Sequence, residues 1–181
     1  DKIQAKKIMN DFGVPVVPGS EGKIKDVSDA IKISNEIGFP VLLKASAGGG
    51  GRGMQIVENG EQLRKVLPIL KQEALSFFGN NDIYVEKFID SPRHIEIQVM
   101  CDTHGNFLHL YERDCSVQRR NQKVVEEALA PDISEDKKNK LYKICTDAMS
   151  RMGYLGLGTL EFLYSDGNFY FMEMNLSLIH I

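Results

Sequence analysis

At 181 residues the chain is long enough to bury one good core and to divide into two lobes. Its composition, 43% hydrophobic and 26% charged, is ordinary for a soluble globular protein, and a net charge of -3 argues against a nucleic-acid surface as its main business. Cys101, Cys115 and Cys145 show no C-x-x-C spacing, the apolar runs fall far short of a membrane span, and no signal peptide opens the chain, so a disulfide framework, a zinc site and a membrane anchor are not indicated. The expected setting is a reducing cytoplasm, with an organelle matrix as the alternative.

In chain order, Lys2–Phe12 reads as a helix with Ala5, Ile8, Met9 and Phe12 on one face and Gly13 as its stop. Opening inside a helix predicts that an N-terminal part is missing. Val14–Ser20 is a connector, and Ser28–Ile37 a second helix ended by Gly38. Phe39–Leu43 and Met54–Val57 read as strands around a glycine run. Glu61–Phe78 is helical, with a break or kink expected at Pro68. Ile83–Phe88 is a short strand. His94–Met100 alternates, with Ile95, Ile97 and Val99 on one face and Glu96 and Gln98 on the other, and Phe107–Arg113 completes a hairpin with it. Ser134 should cap a long helix to Met152, which Gly153 ends. A last hairpin joins Thr159–Tyr164 to Phe169–Asn175. Helices and antiparallel hairpins in segregated order predict an α+β arrangement.

The stretch Lys44-Ala45-Ser46-Ala47-Gly48-Gly49-Gly50-Gly51-Arg52-Gly53 carries the strongest chemical signal. Ordered glycine is entropically costly unless something needs the bare backbone, and an anion does, because successive N–H groups can turn toward phosphate oxygens. Lys44 and Arg52 would add charge. For the glycines alone, a flexible hairpin tip is an equally good reading. The G-x-G-x-x-G fingerprint is dismissed because a strand, not a helix, follows, and the P-loop because Met54 stands where lysine is required. A flap over phosphates remains.

Glu161, Glu173 and Asn175 are oxygen donors on two adjacent strands and suit Mg²⁺. A two-residue Asp166-Gly167 turn would oppose Glu161 to Met172 and send Glu173 to the other face. A three-residue loop would oppose Glu161 to Glu173, and this second register is the expectation. Spacing alone favours two solvent-facing acids; the apolar neighbours Leu160, Phe162, Phe169, Phe171 and Met172 tip the balance toward a buried, partnered pair. Gln118–Lys123 is a basic run that reads either as a solvated loop or as an anion-handling one.

These residues, with Glu86-Lys87, Pro92-Arg93-His94-Ile95-Glu96-Ile97-Gln98, Glu112-Arg113-Asp114-Cys115-Ser116, the Gln118–Ala128 block and Glu173-Met174-Asn175, resemble the ATP-grasp region of biotin carboxylases from residue 1 to residue 175. Those are the ATP-using components of biotin-dependent acyl-CoA carboxylases, of acetyl-CoA or propionyl-CoA carboxylase type. The resemblance implies a partial ATP-grasp fold, with 17–88 as a lid lobe and 89–175 as the start of a metal-binding lobe. It implies ATP, Mg²⁺ or Mn²⁺ as cofactors, bicarbonate as co-substrate, biotin on a carrier protein or domain as acceptor, a carboxyltransferase partner and a homodimeric parent. No nucleic acid and no membrane are expected. By the same resemblance Glu161, Glu173 and Asn175 match metal positions, and Lys2, Lys44, Gly48, Gly49, Gly50, Gly51, Arg52 and Gly53 match the phosphate side. Glu86, Lys87 and Ile89 match the adenine hinge, His94, Gln118 and Asn121 other nucleotide contacts, and Lys123 the bicarbonate-side lysine. Asn121 is a mild departure, since many members carry His there.

The tail, residues 176–181, departs most. Ser177 stands where the family has its arginine and Ile181 where it has a glutamate base. The expectation is a truncated, frameshifted or foreign tail and a chain with little or no turnover. A carbamoyl-phosphate-type ATP-grasp ligase and a non-catalytic ATP-binding module are the competing readings.

Overall fold

Every helix in this chain presents one apolar stripe and every long strand one apolar face, and these faces bury against each other twice, in two separate cores. The structure, a computed structural model, describes residues 2–48 and 52–176, with side chains from residue 4 onward. Its contacts divide into two units, one built around residues 17–89 and the other from residues 4–16 and 90–176.

The first unit holds α2 (Val27–Ile37), β1 (Val41–Ala45), β2 (Met54–Val57), α3 (Gly60–Phe78) and β3 (Ile83–Lys87). The strands form an antiparallel sheet in the order β2-β1-β3. Val41, Leu43 and Ala45 of β1 alternate into the core against Leu63, Leu67, Leu70 and Ala74 of α3, which recur at helical spacing. Leu42 and Lys44 take the other face. The helix α2 starts one residue earlier than its sequence suggests, because Asp26 rather than Val27 caps it, its side chain accepting from the Asp29 N–H at 2.9 Å. Asn59 caps α3 in the same way.

Two expectations are met only in part, one here and one in the second unit. Of the break or kink expected at Pro68 the break does not occur, since α3 runs through it as one helix. Pro68 is exposed beside the buried Leu67, so the carbonyl it leaves unbonded faces water, while the apolar stripe on either side keeps the helix on the sheet. Ser134 does stand at the N-cap of α4 (Glu135–Met152), but its side chain makes no capping hydrogen bond. Its carbonyl instead accepts from the Lys137 and Lys138 N–H groups, and Glu135 and Asp136 complement the helix dipole. Gly153 ends that helix in the left-handed conformation, as its position suggests.

The second unit also contains α1 (Lys2–Asp11, whose first residues fall with the other unit), β4 (Arg93–Cys101), β5 (Phe107–Asp114), the two-residue strands β6 (Gln118–Arg119), β7 (Gln122–Lys123) and β8 (Glu127–Ala128), then α4, β9 (Gly156–Ser165) and β10 (Asn168–Leu176). A five-stranded antiparallel sheet runs β10-β9-β4-β5-β8. Ile95, Ile97 and Val99 on β4, Leu160 and Phe162 on β9 and Phe171 on β10 face α4, where Leu141, Tyr142, Cys145, Ala148 and Met149 meet them.

The β9–β10 hairpin shows how two local irregularities produce one register. Its turn is the two-residue Asp166-Gly167, both at positive φ (50° and 78°), and not the three-residue loop expected. Phe171 accordingly lies opposite Phe162, yet Glu173 lies opposite Glu161, because a bulge at Met172 shifts the pairing by one. The expected partnership of Glu161 with Glu173 is therefore present, but for a different reason. Without the bulge Phe171 and Glu173, two residues apart, would share a face. The bulge sends the ring into the core and the carboxylate to the far side of the sheet.

Candidate functional site

On the sheet face opposite α4, backbone pairing sets four residues in one row across four strands: Glu173, Glu161, Glu96 and Arg113. Three carboxylates side by side would repel unless cations were interleaved. The cations come from two directions. Arg113 pairs with Glu96 and Glu126, and Lys123 pairs with Glu96 and, at 2.8 Å, with Oε1 of Glu161. Asn175 donates to the same Oε1 at 2.6 Å, while His94 Nε2 lies 3.0 Å from Oε2.

Lys123 arrives through the small β6–β7 hairpin, in which it pairs directly with Gln118. The turn residues Arg120 and Asn121 both have positive φ, 55° and 61°, a geometry asparagine tolerates well. Asn121 is exposed at that tip. Gln118 is turned inward, its amide 2.9 Å from His94 Nδ1 and from the Cys115 carbonyl, so one short hairpin positions both the lysine and the histidine.

The sequence Glu112-Arg113-Asp114-Cys115-Ser116 braces this arrangement. Glu112 points to the helix side, where it is buried and accepts from the Ala130 N–H at 2.9 Å, from Lys138 at 3.0 Å and from the Tyr142 hydroxyl. Asp114 accepts two bonds from Arg93 and one from the Ser116 N–H, and Ser116 Oγ accepts from the His94 N–H at 3.0 Å. With its amide oxygen toward the guanidinium, Gln98 accepts from Arg113 Nε at 2.7 Å.

Electrostatics follow from these contacts. Burial alone would push the Glu161 carboxyl up, but His94 and Lys123 outweigh it and hold it down to about 2. Burial opposes the charge on Lys123, and Glu161 and Glu96 more than offset it, so its pKa is raised. The buried Cys115 thiol is pushed up to about 12 by burial and by Glu96, which makes it a poor nucleophile. One ligand atom each from His94, Glu96 and Glu161 falls within a 4.8 Å cluster. The carboxylate oxygens of Glu161 and Glu173 and the Asn175 amide oxygen are the donor chemistry that a hard cation such as Mg²⁺ takes.

In the first unit, Lys44 projects from the face of β1 away from the helices and pairs with the buried Glu86 at 2.6 Å. Gly48 and Gly53 stand at the two feet of the flap. A Cβ on Gly48 would lie 2.7 Å from the Arg52 carbonyl, and one on Gly53 would lie 2.9 Å from the Ala45 Cβ at a φ of 72°. Those two glycines thus have a packing reason independent of any anion. Arg52 is exposed. Lys87 sends its ammonium to the Gly38 and Phe39 carbonyls, its N–H bonds the Pro18 carbonyl, and Ile89 is half-buried just beyond β3. Gly49, Gly50 and Gly51, the side chain of Lys2 and the tail from Ser177 to Ile181 lie outside the described residues.

Sequence reasoning singled out His94, Gln118, Lys123, Glu161, Glu173 and Asn175, which share the second unit's open sheet face or its margin. It missed Glu96, Arg113 and Glu126. The available signal was Glu96 itself, an acid alternating with Ile95 and Ile97 and therefore in phase with the polar face.

The family defined by the carbamoyl-phosphate synthase L chain ATP-binding domain matches residues 1–179. A biotin carboxylase of Haemophilus influenzae is 50% identical over 176 residues, covering 97% of this chain and 39% of the relative. The propionyl-CoA carboxylase alpha chain of Ruegeria pomeroyi is 51% identical over 180 residues, 98% of this chain and 26% of the relative. Among solved structures, the biotin carboxylase domain dimer of the Hydrogenobacter thermophilus 2-oxoglutarate carboxylase, in complex with MgADP, ADP and bicarbonate, superposes with a TM-score of 0.90 at 47% identity, over 99% of this chain and 40% of that one. The fold is thus the ATP-grasp fold of biotin carboxylases, present in part, and the chain spans about two-fifths of the length of the biotin carboxylases it matches. The chain belongs to the carbamoyl-phosphate synthase L chain ATP-binding domain family, within which it is similar to biotin carboxylases.

Proposed function

We propose that this chain is the nucleotide- and metal-handling part of a biotin carboxylase, an ATP- and Mg²⁺-dependent ligase that carboxylates carrier-bound biotin with bicarbonate through carboxyphosphate. The observation that carries this reading is the row of in-register carboxylates interleaved with Lys123. A charge-alternating array of this kind suits a reaction whose two inorganic partners, phosphate and bicarbonate, are anions and whose cofactor is a cation.

Glu161, Glu173 and Asn175 would hold Mg²⁺, which supplies neutralisation of phosphate oxygens. Held down to about 2 by His94 and Lys123, the Glu161 carboxyl stays ionised throughout the working range. Lys44 and the flap, Gly48–Gly53 with Arg52, would contact phosphate, Lys44 exchanging part of its hold on Glu86 for it. Glu86, Lys87 and Ile89 would border the base. His94, fixed by Gln118 and by the bond from its own N–H to Ser116, would meet the nucleotide with a set ring orientation. Lys123 would orient bicarbonate. Lys2 and Asn121 complete the nucleotide set. Residues 17–88 act as the lid lobe and 89–175 as the start of the metal-binding lobe. The whole protein's partners would be a biotin carrier protein or domain, a carboxyltransferase and a second copy. Cytoplasm or an organelle matrix suits its three unpaired buried cysteines. The Ruegeria relative's name suits an acyl-CoA carboxylase.

Calorimetric titration of MgATP into the 181-residue chain tests the reading, with Lys44→Ala and Glu161→Gln as controls. Binding that needs Mg²⁺ and is weakened by both substitutions is expected. A folded chain that binds no nucleotide, or binds it equally well after both substitutions, overturns the site. Biotin-dependent ATP cleavage by the full-length protein would exclude a carbamoyl-phosphate-type ligase. Nucleotide binding without cleavage there would favour a non-catalytic module.

A further inference from the structure

Both oxygens of Glu161 are engaged. Oε1 takes Lys123 and Asn175, and Oε2 faces His94. Oε1 already accepts from two donors, Lys123 at 2.8 Å and Asn175 at 2.6 Å, so a divalent cation coordinated to it would have to displace one of them. Charge repulsion makes the Lys123 ammonium the one it opposes. Lys123, however, has a second carboxylate: Glu96 is fully buried, lies beside Glu161 in register, and is itself fixed through its other oxygen by Arg113. The ammonium can give up Glu161 without being left without a carboxylate.

We propose that Lys123 is a tethered counter-cation that competes with the divalent cation for Glu161, so that cation binding and release of Lys123 toward an incoming anion are one coupled event. This rests on the reading of Glu161 as a metal ligand. In the metal-free state the ammonium keeps the buried carboxylates neutralised and the sheet face folded. With Glu161 committed to a cation, Lys123 would be left on Glu96, which it already holds, and the N–H donors that face Glu161 would become available to an anion. The coupling is reciprocal: an anion that draws Lys123 away from Glu161 raises cation affinity by the same factor.

The test is Mn²⁺ titration, followed by electron paramagnetic resonance of the free ion, into the nucleotide-free chain and its Lys123→Ala, Lys123→Gln and Glu161→Gln variants, each checked for native unfolding behaviour. Both Lys123 variants should bind Mn²⁺ about tenfold more tightly than the parent, within the usual range for coupled sites. Glu161→Gln should abolish the binding. Ethylammonium added to Lys123→Ala should refill the vacated position and weaken Mn²⁺ binding competitively. Tetramethylammonium at the same ionic strength, which has no N–H, should not. Glu161-dependent binding that is unchanged in both Lys123 variants overturns the competition and leaves the metal reading standing. Mn²⁺ binding that does not depend on Glu161, or is absent from every variant, overturns both. Equal effects of the two ammonium ions reduce the result to charge screening and overturn the competition.

Discussion

The two units organise their candidate chemistry in different materials. In the unit of residues 17–89 the distinctive features are in the backbone: glycines whose hydrogens are all the space allows, and a strand end whose Lys87 and Phe88 N–H groups bond the Pro18 and Pro40 carbonyls. In the second unit they are in side chains, a row of charges in which the buried Glu96 and Glu161 carboxylates are held by cations and an amide. On the proposed reading, a glycine segment over phosphates would use bare backbone to approach them, whereas a cation and bicarbonate would be recognised by charge at fixed positions. If this division is right, the second unit should fail through lost charge partners and the first through added atoms.

The largest effect should come from Glu96→Leu. It removes a fully buried carboxylate that Lys123 and Arg113 share, and leaves both cations facing Glu161 and Glu126 alone. Breaking a buried pair by removing one partner costs roughly 3 kcal/mol or more. The urea midpoint should fall accordingly, and an unchanged midpoint would show that the array is ornament to the fold.

How far this array could be read from the sequence depended on period. Strand alternation placed Glu96 opposite Ile95 and Ile97, and the apolar neighbours of Glu161 marked its hairpin as buried, so the faces were legible. The register was not. Turn chemistry at Asp166-Gly167 taken alone would have put Glu173 on the wrong face, and nothing local announces that Met172 is the extra residue. A bulge is decided by the mismatch between a tight turn and the burial needs of Phe171 and Glu173, a long-range balance. Arg113 and Glu126 escaped notice for the same reason, since the two-residue β8 that brings Glu126 near β5 has no periodicity to detect.

Next in size is Gly53→Ala in the backbone-dominated unit. Its φ of 72° and the proximity of Ala45 and the Phe78 ring leave no room for a methyl group. The left-handed conformation alone costs roughly 1–2 kcal/mol for a residue with a Cβ. Thermal unfolding should show that loss. By contrast Gly79→Ala, whose added Cβ would meet nothing within 4 Å although its φ of 69° is similar, isolates the conformational part. A smaller loss at Gly79 than at Gly53 would measure the packing contribution at the flap's foot.

The acid limb of stability sharpens the comparison further. Burial pushes the Glu112 carboxyl up, but the Tyr142 hydroxyl and Lys138 outweigh it and leave the pKa lowered. A carboxylate whose folded pKa lies below its unfolded one, about 4.3 for a glutamate, stabilises the fold above that value and loses the contribution as pH falls through the folded pKa. Glu112→Gln should therefore lower stability at neutral pH and flatten the fall in unfolding midpoint below about pH 4. A parallel pair of curves would mean that the carboxylate's charge is not what holds Ala130 and α4 to β5.

The smallest expected effect tests a place where the second unit also relies on backbone. Asn121 lies at the tip of the β6–β7 turn at a φ of 61°, following Arg120 at 55°. Two-residue hairpins of this hand favour asparagine followed by glycine, and here the asparagine occupies the second position, the glycine's place. Asn121→Gly should thus change stability by no more than about 0.5 kcal/mol, whereas Asn121→Val should cost about 1 kcal/mol or more, because a β-branched residue resists positive φ. Measured beside MgATP affinity, the pair separates two reasons for an asparagine there. If Asn121→Gly keeps both stability and nucleotide affinity, the residue serves the turn that aims Gln118 and Lys123. If affinity falls while stability holds, the exposed amide itself meets the nucleotide, and side-chain recognition extends to the tip of the hairpin.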